Sequence, residues 1–172
     1  MKICSTIILG TVFIVFSHLA GASQADDTTI TIDAHTAGAT PFISQLTLTV
    51  TAGDTTVIKS VQFTITPKPG SVTRPLSGTY SHDYLVSRGF LQPPSEEIFL
   101  PVYGLYNGFT NTVSLTYYFL DGSSKQDSTT ITTAAFDDEG CGYNNPTKLQ
   151  SRTNSTDLSY DYIFDRSGCG DF

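Results

Sequence analysis

Acid–base and nucleophilic chemistry has few places to sit in this chain. Outside the N-terminal stretch there are two histidines, His35 and His82. His82 falls in Ser81-His82-Asp83, where a base beside a carboxylate and a hydroxyl could activate a nucleophile. The same tripeptide reads equally as a solvated turn, and with no supporting motif the turn is the favoured reading. His35 sits just beyond a short strand-like run. Asp137-Asp138-Glu139 could offer oxygen ligands to calcium. No D-x-[DN]-x-[DN]-G loop accompanies them, so a solvated acidic surface is favoured. Cys141 and Cys169 have no second Cys or His at zinc-ligand spacing. No Gly-rich phosphate loop follows a strand. The Tyr and Phe content could line a carbohydrate platform, but core packing is the favoured use. Asn154-Ser155-Thr156 has the form of a glycosylation sequon. On these grounds no catalytic residue, cofactor-binding residue or metal ligand is assigned, and no cofactor is expected.

The compartment follows from the N-terminus. Lys2 supplies a positive charge, and Ile7 to Leu19 is apolar apart from Thr11, Ser17 and His18. Ser23-Gln24-Ala25 then gives a small-x-small pattern, so residues 1–25 are expected to be a signal peptide cut before Asp26. The apolar run of about a dozen residues is shorter than the roughly 20 that span a bilayer. The mature protein is therefore expected in an exported compartment, periplasmic or secreted, with no membrane association after cleavage. Cys4 leaves with the leader. Cys141 and Cys169 remain as an even pair and are expected to form a disulfide, since exported compartments are oxidising. On the loop-entropy account such a bridge contributes about 3–4 kcal/mol.

The chain carries 16 acidic and 9 basic residues, a formal net charge of −7. An acidic surface repels phosphate backbones and anionic lipid, so nucleic acid is not an expected partner. Residues 26–172 suffice for one domain, which at this size buries about 70% of its extended surface.

The elements that would position any site are strands. Thr28 to Ile32 alternates polar and apolar residues. Leu46, Leu48 and Val50 share one face, with Thr47, Thr49 and Thr51 on the other. Val61, Phe63 and Ile65 repeat the pattern until Pro67-Lys68-Pro69-Gly70 stops it. This is the period-two signature of half-buried strands. Tyr80 to Phe90 is expected to hold a strand, ended by Pro93-Pro94. Ile98 to Tyr106 reads as another, with Pro101 placing it at an edge or bulge. Val113, Leu115, Tyr117 and Phe119 face one way and lead through Asp121-Gly122 into a return strand from about Gln126 to Thr133. No helical apolar stripe with a cap and a stop stands out. Strands at this spacing predict an all-β, Ig-like antiparallel β-sandwich over residues 26–135, with almost no helix outside the leader. Its core is expected to include Leu46, Leu48, Val50, Val61, Phe63, Ile65, Val113, Leu115 and Tyr117.

The stretch from Ile98 to Leu115, with Pro101-Val102-Tyr103-Gly104-Leu105-Tyr106 and Asn111-Thr112-Val113, resembles the "PV-x-GLY-x-x-x-x-NTV" segment of bacterial PAPS-independent aryl-sulfate sulfotransferases. That segment belongs to their N-terminal domain. The resemblance is sharp from about Ile98 to Gly122. Asn145-Pro146-Thr147, Arg152-Thr153 and Tyr160-Asp161-Tyr162 resemble the connector that leads to that family's catalytic domain. Gly104 would let the strand bend, Asn107 and Gly108 would make a turn, and Asn111 would bond backbone groups at the re-entry. These are scaffold roles, so a shared fold is implied more strongly than a shared activity.

The resemblance implies that a β-propeller, which transfers sulfate between phenols, is the domain's partner in family members. None of that propeller's catalytic residues has a matching position here. The expectation is a non-catalytic N-terminal domain: a truncated gene, a fragment or a free-standing relative. The alternative is an exported adhesin-like or lectin-like binding module. Residues 136–172 are expected to form a loose connector tail. Tyr160, Tyr162 and Phe164 would expose one aromatic face there and could promote self-association.

Overall fold

The computed structural model describes residues 21–137. Seven strands run through them: β1 (Thr29–Ala37), β2 (Ile43–Ala52), β3 (Ile58–Ile65), β4 (Leu76–Ser81), β5 (Glu97–Tyr103), β6 (Thr110–Phe119) and β7 (Ser124–Thr132). They form two antiparallel sheets, one ordered β1-β2-β5 and the other β4-β3-β6-β7. The alternation seen in the sequence sets the inward faces. Leu46, Leu48 and Val50 of β2, Val61, Phe63 and Ile65 of β3, and Val113, Leu115, Tyr117 and Phe119 of β6 are all buried. Ile98, Leu100 and Val102 join them from β5. Threonines and serines fill many of the alternate positions, which β-branched residues tolerate well on a pleated, half-exposed face. All nine expected core residues are buried, and the architecture is an all-β, Ig-like sandwich. Pro101 lies in β5, which among the described strands pairs only with β2, so its missing N–H falls on an edge strand.

The strand expected over Tyr80 to Phe90 is corrected. Only Tyr80 and Ser81 belong to β4, and the chain then turns into a six-residue helix, α2 (His82–Ser87). Ser81 is its N-cap, extended at φ −71 and ψ 156, and its Oγ accepts from the Tyr84 N–H at 3.2 Å.

 The stop is equally local. The Phe90 N–H reaches the Leu85 carbonyl at 2.8 Å and the Gly89 N–H reaches the Val86 carbonyl at 3.0 Å. This is the helix-ending pattern that a left-handed residue permits, and Gly89 has φ +70. The helix buries Leu85. A second short helix, α1 (Gln24–Asp27), precedes β1, so two helices and a 3-10 turn at Thr55–Val57 stand where almost no helix was expected.

Three strand limits also move. β1 continues to Ala37, so His35 lies inside it, with a register shift between Ile32 and Ala34 at Asp33. β5 stops at Tyr103, and β7 begins at Ser124. In the β6–β7 connection the Phe119 carbonyl accepts from the Gly122 N–H at 3.1 Å and its N–H donates to the Ser123 carbonyl at 3.0 Å. Gly122 has φ +85. Cys4, Cys141, Cys169, the Asn154 sequon and most of the tail lie outside the described residues, as does the bulk of the leader.

Candidate functional site

The two histidines lie on different parts of the sandwich. His82 opens α2, which follows β4 of the four-stranded sheet, while His35 lies in β1 of the other sheet. The hydroxyl beside His82 is used structurally, since Ser81 Oγ accepts the Tyr84 N–H. His35 Nδ1 is 3.4 Å from Ser44 Oγ, and that hydroxyl donates to the Thr36 carbonyl at 2.9 Å. A hydroxyl has one proton, so with it on Thr36 the imidazole cannot take it from Ser44 in this geometry. Among the described residues no hydrogen bond joins His82 to a hydroxyl or thiol, and the Ser44 hydroxyl beside His35 donates to backbone. Among the described residues no three His, Cys, Asp or Glu side chains converge as metal ligands, and Asp138 and Glu139 of the acidic run lie outside them.

The segment singled out from Ile98 to Gly122 is a polar knot. Gly104 ends β5 at φ +83, and its N–H donates to the Phe42 carbonyl at 2.9 Å. A Cβ there would also lie 2.7 Å from Leu76 Cδ1, so conformation and space both favour glycine. Asn107 and Gly108 form the turn, and the Gly108 N–H donates to the Ala134 carbonyl at 2.7 Å. Asn111 is fully buried. Its Oδ1 accepts from the Tyr106 N–H at 2.8 Å. Its Nδ2 donates to the carbonyls of Tyr106, Phe109 and Ile131 at 3.0, 3.1 and 3.3 Å. Thr133 completes the knot, its hydroxyl donating to the Tyr106 carbonyl at 2.6 Å. The expected backbone-bonding role of Asn111 is what the geometry gives. The part played by Thr133 was missed, because a threonine at a strand end carries no distinctive sequence signal.

An aromatic cluster runs from the buried Phe63 out to the exposed Tyr103 and Tyr84. Phe63 meets Tyr103 edge-on at 5.1 Å, Tyr80 stacks on Tyr84 at 5.7 Å, and the Arg88 guanidinium lies 5.9 Å from the Tyr84 ring centre. Tyr84 is 43% exposed. Tyr80 and Tyr84 line an open groove with Lys59, Ser60, Thr79 and Ser81. Burial, then the neighbouring Tyr103 and Tyr84, push the Tyr80 hydroxyl up to about 12, so it is neutral at physiological pH and available as a hydrogen-bonding group.

Two antiparallel sheets packed through alternating apolar faces, joined by a glycine bend and a buried asparagine, define a sandwich domain of immunoglobulin-like type. The sequence model of the arylsulfotransferase Ig-like domain matches residues 37–134. The chain belongs to that family. No curated protein matches it.

Proposed function

We propose that residues 26–135 act as a non-catalytic support domain of an aryl-sulfate sulfotransferase-like system. Its partner would be a propeller domain that moves sulfate between phenols. The protein would work in an exported compartment, periplasmic or secreted, after loss of its leader. The observation that carries this reading is the use made of the family segment. Gly104 bends the chain, and the Asn111 amide is consumed by backbone groups. A side chain that satisfies buried backbone is unavailable to a substrate. The test is sulfate transfer from an aryl sulfate to a phenol by the purified chain. No turnover above buffer is expected. Turnover that His82→Ala abolishes would overturn the proposal.

The binding-module reading has one observation in its favour, the groove bearing Tyr80 and Tyr84. An aromatic face flanked by hydroxyls suits a sugar ring. A glycan array would support it through a signal lost in Tyr84→Ala, and no signal would remove it.

A further inference from the structure

The leader can be cut in more than one frame. Ser23-Gln24-Ala25 is small-x-small, and so is Ala20-Gly21-Ala22. The structure distinguishes them by what each cut would remove. Ser23 is the N-cap of α1, its Oγ accepting from the Asp26 N–H at 3.2 Å while Asp26 Oδ2 accepts from its hydroxyl at 2.8 Å. The Gln24 N–H donates to Asp121 Oδ2 at 2.8 Å, and the Asp121 N–H returns a bond to Gln24 Oε1 at 2.9 Å. The Ala25 N–H donates to Ser123 Oγ at 3.1 Å, and Ala25 is buried. The Thr28 N–H donates to the Gln24 carbonyl at 3.0 Å. Residues 23–25 thus clasp the β6–β7 turn, and a cut before Asp26 removes every one of these contacts. Gly21 and Ala22 are exposed and lie outside any helix or strand, and a Cβ on Gly21 would meet nothing within 4 Å.

We infer that the leader is removed between Ala22 and Ser23, leaving Ser23 as the mature N-terminus. This rests on the export reading. An export peptidase that reads small residues at the first and third positions before the bond adds water across the Ala22–Ser23 peptide. Ala22 leaves with a carboxylate and Ser23 keeps an ammonium. That ammonium lies 3.4 Å from Asp26 Oδ2, so the cut adds an ion pair to the existing cap.

The full chain is expressed in an export-competent bacterial host, and the N-terminus of the exported fraction is sequenced. Ser-Gln-Ala-Asp-Asp is the expected result. An N-terminus at Gln24 or Asp26 overturns the cut site while leaving export intact. A chain that retains Met1 and stays in the cells overturns the export reading itself. Ala22→Phe should abolish the Ser23 terminus, and its persistence would also overturn the assignment. Chains made to begin at Ser23 and at Asp26 give a second readout. The Ser23 chain should melt several degrees higher, and equal melting would remove the structural ground for the inference.

Discussion

Replacing Asn111 by alanine isolates the energetic role of the polar knot. The Tyr106 N–H loses the acceptor at 2.8 Å, and a buried donor left unpaired costs about 1–3 kcal/mol. The carbonyls of Tyr106 and Phe109 keep the Thr133 hydroxyl at 2.6 and 3.2 Å, so their loss is partial. With a small cavity added, Asn111→Ala should cost about 2–4 kcal/mol. For a domain of this size that is a fall in Tm of roughly 8–16 °C. Thermal unfolding followed by circular dichroism at pH 7 measures it. Asn111→Asp sharpens the test, because a carboxylate still accepts from Tyr106 but faces three carbonyl oxygens with no proton to give. Burial should raise its folded pKa above the unfolded value. Its penalty is then full at neutral pH and shrinks as pH falls through that raised pKa. Both variants melting within about 2 °C of the parent, well inside the shift expected for these magnitudes, would refute the reasoning.

Gly104→Ala should destabilise by about 2–3 kcal/mol, more than Gly108→Ala at about 1 kcal/mol, because only the first adds a clash to the positive φ; denaturant midpoints of the two variants give the order, and the reverse order would count against the bend. Tyr117 Oη is buried with no hydrogen-bond partner among the described residues, so Tyr117→Phe should leave stability unchanged or raise it by up to about 1 kcal/mol. A clear drop in Tm would mean that the hydroxyl is bonded. Asp121 is held below its ordinary 3.8 by the Ser123 hydroxyl first, then by backbone N–H groups including that of Gln24. A lowered folded pKa stabilises above the unfolded pKa and is lost as pH falls through the folded one, so Asp121→Asn should flatten the loss of Tm below about pH 4. An unchanged acid limb would argue against the clasp on the β6–β7 turn.

The sandwich was legible because its signal is periodic. Val61, Phe63 and Ile65, and Val113, Leu115 and Tyr117, alternate without interruption, and one face of each run is buried. α2 was illegible by that route, since six residues hold fewer than two turns and place one residue, Leu85, in the core. Its cap and stop, Ser81 and Gly89, were visible, but they are also ordinary turn residues, and only the intervening hydrogen bonds distinguish the two uses. His35 was placed just beyond the first strand, but β1 runs on through it to Ala37, with an irregularity in register between Ile32 and Ala34. The clasp of Gln24 on Asp121 joins residues 97 positions apart, a distance over which local pattern carries no information.

The family segment falls where the chain changes sheets. β5 is an edge strand of the three-stranded sheet, and β6 lies inside the four-stranded one. The backbone between them crosses the end of the sandwich, where neither ladder can pair its N–H and C=O groups. Such groups need other partners when buried. Gly104 turns the chain out of the first sheet, and the Asn111 amide, at the second residue of β6, bonds back to Tyr106 and Phe109 of the crossing and across to Ile131 of β7. One buried side chain thereby joins the crossing to two strands of the receiving sheet. Leucine at this position would match the apolar face of β6 but leave the Tyr106 N–H unpaired, so the pattern needs an amide where periodicity alone calls for an apolar residue. The segment stood out in the sequence by its resemblance to the family pattern, and the burial of the Asn111 amide shows that what it does here is structural.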